Sequence, residues 1–261
     1  MKAIFEHASR ILPLISVIAL SGCATTNPNA PKEISNAERV KMLLPIASAN
    51  ISDNDSTGGL QVLSQIRELD DSIPEEYYLF ALAYLQKNEI KLATESARHA
   101  VKLDPKYSAA KNTLGKLLLD QNQYEEAEKY LLQSATDLLF REAYLPKINL
   151  GILYSKKGMS EKSEYWLSQA IHDGGSLVCL AYFHRANLRY NQNQYLEAER
   201  DFNRSAKGSC SGISDVHIAF GKTLIREKKY DQARAKFIEI QRLFPSSTAF
   251  DQATQYLREI P

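Results

Sequence analysis

Three stretches of the chain are written on one template. They are "NTLGKLLLDQNQYEEAEKYL" from Asn112, "INLGILYSKKGMSEKSEYWL" from Ile148 and "IAFGKTLIREKKYDQARAKF" from Ile218. Each sets an apolar residue before a glycine, a second apolar residue three after it and a small residue twelve after it. A bulky apolar residue follows four positions further on. Self-similarity at a period of a few tens of residues constrains a chain more than any local motif does. Each unit is one supersecondary element that cannot bury its own apolar face, so the units must stack.

Unit starts at Pro74, Ser108, Tyr144, Cys179 and Ser214 carry the register through five units. The position before the glycine then holds Phe80, Leu114, Leu150, Arg185 and Phe220, and the glycine position holds Ala81, Gly115, Gly151, Ala186 and Gly221. The second helix begins with Ala93, Ala127, Ser163, Ala198 and Ala233, and its later large position holds Ala97, Leu131, Leu167, Phe202 and Phe237. Small residues at the glycine position and at the start of the second helix let two helices cross closely. Pro105 and Pro245 fall where the second helix stops, because proline cannot continue it. Arg185 is the one polar residue at its position, so the Cys179 unit departs furthest from the template.

This pattern resembles the tetratricopeptide repeat (TPR), a helix–turn–helix unit of about 34 residues. The resemblance implies an all-α fold, a TPR solenoid wound as a right-handed superhelix. Upstream, "AERVKMLLPIASAN" and "GLQVLSQIREL" read as a degenerate first repeat whose first helix is kinked or split at Pro45. Downstream, "TAFDQATQYLREI" reads as the capping helix that covers the last apolar face. The TPR domain is placed at residues 35–261.

In a TPR stack the first helix of each repeat lines the concave face. The positions that point inward are Tyr78, Leu82 and Leu85, then Asn112, Lys116 and Leu119. Leu145, Ile148 and Ile152 follow, then Leu180, Phe183, Asn187 and Tyr190, and finally Ile218, Lys222, Ile225 and Arg226. The expectation is an apolar groove with a few polar interruptions, suited to an amphipathic helix or an extended peptide of a protein partner. Tyr84, Tyr124, Tyr154, Tyr195 and Tyr230 recur at repeat positions and read as packing residues.

The N-terminus carries a different signal. "ILPLISVIAL", Ile11 to Leu20, is too short to span about 30 Å of hydrocarbon as a helix and fits the core of a secretory signal at residues 1–22. Leu20-Ser21-Gly22-Cys23 resembles the bacterial lipobox, which implies cleavage before Cys23 and lipidation of its thiol. An ordinary signal peptide with an incidental cysteine is the alternative. Ala24 in place of aspartate resembles the pattern that passes a lipoprotein to the outer membrane, facing the periplasm. Several acyl chains on one residue anchor stably. Residues 23–34, with Pro28 and Pro31, read as a flexible tether.

The chain is at +1 overall, which removes any bulk electrostatic case for nucleic acid. Cys179 and Cys210 are an even pair in an exported chain, and antiparallel helices bring them to one end of a hairpin, so a disulfide is expected. A metal site using them with His184 or His217 is the rival, but neither CxxC nor HxxxH spacing is present. His99, His172, His184 and His217 are isolated in sequence and read as surface residues. No HExxH, GxSxG or phosphate-cradling glycine loop occurs. The reading is a non-enzyme without cofactor, metal or small-molecule substrate.

The whole mature chain resembles the pilotin lipoproteins of type IV pili, the PilF/PilW/Tgl group. The segments that carry the likeness are Asn112, Gly115 and Leu118 in one helix and "DLLFREAYLPKINLG" between repeats, where Leu114 and Leu150 stand 36 residues apart. Some members carry cysteines where this chain has Leu119 and Leu153, so any disulfide here is a different pair. The resemblance implies an adaptor that binds secretin subunits through the groove and holds them at the outer membrane through Cys23 while the ring assembles. A lipoprotein scaffold for peptidoglycan hydrolases or the β-barrel assembly machinery is the alternative, with the same fold and anchor.

Overall fold

Each hairpin of this chain turns on a single left-handed residue. Asn54, Asn88, Asn122, Gly158, Asn193 and Lys228 all have φ between 58° and 71°. The computed structural model describes residues 34–175 and 177–261; the signal segment 1–22, Cys23 and the tether up to residue 33 lie outside the described residues. Each of these residues follows the first helix of a pair. The next amide reaches back five residues to a carbonyl, as in Glu89 N–H to Tyr84 O (2.9 Å), Gln123 to Leu118 (2.8 Å) and Met159 to Tyr154 (2.8 Å). This is the Schellman closure, which satisfies carbonyls that the helix end leaves open.

Lys228 is the one turn residue that is neither Asn nor Gly, and its Cβ is crowded at φ 59°. Lys228→Gly is therefore expected to raise stability by about 0.5–1 kcal/mol. Urea unfolding of the two proteins measures this, and a loss would mean the lysine side chain contributes more than its backbone costs.

The described residues hold thirteen α-helices, a 3-10 turn and no strand. The pairs are α1 (Asn36–Ser52) with α2 (Ser56–Leu69), α3 (Pro74–Gln86) with α4 (Ile90–Leu103), and α5 (Ser108–Asp120) with α6 (Tyr124–Ala135). Then come α7 (Tyr144–Lys156) with α8 (Ser160–Asp173), α9 (Val178–Asn191) with α10 (Tyr195–Ser205), and α11 (Ser214–Arg226) with α12 (Tyr230–Leu243). The last helix, α13 (Thr248–Glu259), covers the exposed side of the final pair. Residues 36–261 form one unit, an all-α TPR solenoid. No helix among the described residues is long and apolar enough to cross a membrane.

The first pair keeps the register of the others despite its divergent sequence. Ala47 and Leu63 are fully buried and sit 34 residues before Ala81 and Ala97. Pro45 does not split α1, which runs unbroken through it. Pro45 and Lys41, whose carbonyl loses its donor, are both exposed residues, so that carbonyl can turn to water.

Close crossings hold each pair together. A Cβ added at Gly115 would stand 2.6 Å from Leu131 Cγ, so only hydrogen fits there. Leu114, Leu117, Leu118 and Leu131 interlock in the central cluster with Ala93, Ala97 and Ala127. Neighbouring first helices also touch one another, α1 with α3, α5 with α7, α7 with α9, α9 with α11 and α11 with α13. Second helices of adjacent repeats make no comparable contact, which puts the first helices on the inner, more tightly curved side.

Arg185, at an otherwise apolar position, is held by charge. Its Nε and Nη2 donate to both oxygens of Asp201 at 2.8 and 2.9 Å, and Nη1 donates to Ser168 Oγ at 2.9 Å. Arg189 adds a bond to Asp201 (2.9 Å) and another to Glu164 (2.6 Å). Two guanidiniums thus meet two carboxylates between α8, α9 and α10, with the Asp201 side chain only 3% exposed.

Candidate protein-docking face

The inner face was expected to be an open apolar groove, and the structure closes much of it. Leu119, Ile148 and Ile218 are buried in the core and line no open surface. Contact between adjacent first helices covers them. Tyr78, Leu82, Leu85, Leu145, Ile152, Leu180, Phe183, Tyr190 and Ile225 are half-buried, each divided between packing and solvent. Tyr78 lies against Tyr107 with ring centres 5.2 Å apart, and Phe183 against Phe202 at 6.1 Å.

The polar positions are mostly engaged. Asn112 accepts from Asn149 Nδ2 at 2.9 Å, a bond that ties α5 to α7. Asn187 donates to the Phe183 carbonyl one turn back, and Lys116 pairs with Asp120 at 2.6 Å on its own helix. Lys222 and Arg226 stay exposed on α11.

One group of the expected residues surrounds a cavity. Tyr190, Lys222, Ile225 and Arg226 line a space of about 300 Å³ with Tyr256, Glu259 and Ile260 of the chain's last turns. Tyr256 and Ile260 belong to the capping segment, so the register of the repeats gave no sign of their part in it.

Two other features were not foreseen. The connector between α6 and α7 exposes Leu138 (99%) and Leu139 (92%). Asp137 stiffens this turn by accepting from the Leu139 amide (2.9 Å) and from Ser108 Oγ. The second feature is Glu76 on α3, fully buried with Oε1 taking a bond from Arg67 Nε (3.2 Å) and Oε2 without a partner among the described residues.

Burial pushes the Glu76 carboxyl up to about 7, against the pull of Arg67. Its folded pKa thus lies above the unfolded value of 4.5, so its share of stability is intact below 4.5 and is lost as pH rises through 7. Glu76→Gln is expected to remove that slope and to gain roughly 2 kcal/mol over the parent at alkaline pH relative to acid. Urea unfolding on either side of neutrality tests it; a difference independent of pH overturns it.

The histidines do not form one surface class. His217 is buried, with Nε2 2.9 Å from the Ser211 carbonyl, and burial followed by Lys236 lowers its pKa. Burial takes His184 down to about 4, while His99 packs on Tyr77 at 4.0 Å and His172 is exposed. Tyr124 and Tyr195 donate their hydroxyls to the turn residues Asn122 (2.8 Å) and Asn193 (2.6 Å).

Cys179 and Cys210 are joined as a disulfide, with Cα atoms 6.0 Å apart. The 3-10 turn Gly208–Cys210 brings the second sulfur back over the start of α9. No cluster of three or more His, Cys, Asp or Glu side chains suited to a metal occurs among the described residues.

Residues 77–107 and 108–136 match the tetratricopeptide repeat family, which are α3–α4 and α5–α6 of the stack. Those two helix pairs carry the tetratricopeptide repeat in their sequence. Over 245 residues it is 23% identical to the type IV pilus assembly protein PilF of Pseudomonas aeruginosa, covering 92% of this chain and 96% of that one. The solved structure of P. aeruginosa PilF overlays with a TM-score of 0.73 at 19% identity, covering 86% of this chain and 99% of PilF. PilW, described as a widely conserved type IV pilus biogenesis factor, gives 0.74 at 18% identity, covering 82% and 98%. The resemblance to the PilF/PilW group read from the repeats therefore holds along almost the whole length of both chains.

Proposed function

We propose that this TPR chain is an envelope-associated adaptor of type IV pilus biogenesis. In this reading it is tethered to the outer membrane through Cys23, with the solenoid on the periplasmic side. The observation that carries the reading is the end-to-end likeness to PilF, 92% of one chain against 96% of the other. A likeness limited to generic repeats would cover a fraction of each. The solenoid offers many half-buried side chains on one inner face, which is the geometry of a protein-docking surface.

The client in this reading is the secretin, the ring through which the pilus leaves the cell. Tethering confines the search for subunits to a surface and raises their effective concentration. The inner face would hold an apolar segment of a subunit until ring assembly buries it. No step in this role needs a catalytic group or a cofactor.

The test is a blot for heat-resistant secretin multimers in membranes from cells with and without the gene. Deletion is expected to abolish the multimer, the wild-type gene to restore it, and Cys23→Ser to fail to restore it at the outer membrane. Multimers unchanged by deletion would remove the pilus reading. Full rescue by Cys23→Ser would remove the anchor alone.

A further inference from the structure

The cavity at the C-terminal end of the inner face carries more positive charge than its own residues use. It holds about 300 Å³ and opens between α9, α11 and the last turns of the chain. Its apolar part is Ile225, Ile260 and the ring of Tyr256, which stacks on buried Phe237 at 4.9 Å. Arg234 fixes this wall by donating to the Ile260 carbonyl at 3.0 Å.

Lys222 and Arg226 stand one turn apart on α11 and so share a face. Lys222 is exposed and has no acidic partner among the described residues. Arg226 donates Nε to Tyr190 Oη at 3.2 Å, and no carboxylate takes its terminal nitrogens among the described residues. The one acid in the lining, Glu259, accepts from Gln255 Nε2 at 2.7 Å.

We propose that this cavity is a docking pocket for a protein segment that presents a carboxylate beside an apolar side chain. The assignment rests on the reading of the inner face as the docking side, and it names the chemistry of one end of it. A guanidinium whose terminal nitrogens are unspent binds a carboxylate through two parallel bonds, and a neighbouring ammonium strengthens the pair. The apolar floor takes the adjoining side chain. Two cations against one engaged acid repel a metal ion. At the small end of ligand-pocket volumes, this open site suits one or two side chains of a longer segment.

The experiment is selection of random heptapeptides displayed on phage against the detergent-purified full chain and against Lys222→Ala/Arg226→Ala. The wild type is expected to enrich Asp or Glu next to Leu, Ile or Phe. A synthetic copy of the dominant peptide is expected to bind the double variant about tenfold more weakly, the scale of one charge-assisted bond. Lys222→Glu, at an exposed and unpaired site, should reverse the preference toward Lys or Arg with an unchanged thermal midpoint. Selected peptides without acidic residues that still compete at the inner face would overturn the pocket while leaving the docking face intact. Failure to select any peptide that maps to the inner face would overturn both. Binding of phosphatidylglycerol vesicles through Lys222 and Arg226, with no acidic peptide selected, would overturn the protein assignment.

Discussion

Asp201→Ala is expected to cost about 3–5 kcal/mol, among the largest losses a single side chain of this molecule can produce. The carboxylate accepts two bonds from Arg185 and one from Arg189, and its side chain is 3% exposed. Removing it leaves the Arg185 guanidinium, itself 12% exposed, with one hydrogen bond to Ser168 and the Tyr182 ring 5.7 Å away among the described residues. Arg189 keeps Glu164 and is better placed to turn toward water, being 18% exposed. An uncompensated buried charge, more than the loss of attraction, sets the magnitude.

The converse follows from the same physics. An uncharged pair, Arg185→Leu with Asp201→Leu, returns an apolar residue to the position that holds Phe80, Leu114, Leu150 and Phe220 in the other repeats. It is expected to recover most of what Asp201→Ala loses, because the desolvation of both ions disappears with them. Urea unfolding of the three proteins decides the matter. A loss below about 1 kcal/mol in Asp201→Ala would mean that water reaches the guanidiniums and that the cluster behaves as a surface network.

Opening the disulfide is expected to be the second large effect. Cys179 and Cys210 are 31 residues apart, and closing a loop of that size stabilises by about 3.5 kcal/mol in the chain-entropy treatment. The two ends are also close for other reasons. Ser205 Oγ donates to the Cys179 carbonyl at 2.8 Å, and Ser134 makes the same bond to Ser108 at the matching positions of a repeat that has no cysteine. The junction therefore keeps some of its order after reduction, which makes 3.5 kcal/mol an upper figure for this site.

Because each repeat contacts only its neighbours, the loss should be local. Hydrogen exchange in a reductant, or in Cys179→Ser/Cys210→Ser, is expected to show protection falling first in α9 to α11 while α3 to α6 keep theirs. Equal protection with and without the bond would remove the disulfide from any structural role. Both sulfurs are buried, at 6% and 1% exposure, so reduction of the native chain is expected to be slow and to need local opening.

Much of this fold was legible in the sequence because the template repeats it. Pro74, Ser108, Tyr144 and Ser214 begin helices at the residues that the register assigned, and α9 begins at Val178, one residue before Cys179. The recurrent left-handed turn was also written in the chain, as Asn54, Asn88, Asn122, Gly158 and Asn193. It went unread because the template was anchored on apolar and small residues. The divergent first pair was legible only in part. Its Ala47 and Gly59 occupy the small positions, but Pro45 suggested a break that an exposed backbone does not need.

The candidate site was less legible. Helical spacing places Leu119, Ile148 and Ile218 on the inner side as firmly as Leu82 or Ile225, yet the first three are buried. His217 looked like an isolated surface residue and lies in the core, because residues 211–213 fold back over it. Leu138 and Leu139 lie in the connector that carries the family likeness, and nothing in its spacing showed that they stand almost wholly in solvent.

The sequence by itself determined the helix pairs, their order, the small residues at their crossings and the cap, since each of these follows from spacing along one helix or hairpin. Only the tertiary structure decided how near neighbouring first helices approach. That approach decides which inner residues remain open, that Arg185 finds Asp201, and that Tyr190, Lys222 and Arg226 meet Tyr256 and Ile260 around one cavity. Spacing fixes the face on which a side chain lies. The distance to the next helix is set by every side chain between them at once, and no single position in the chain encodes it.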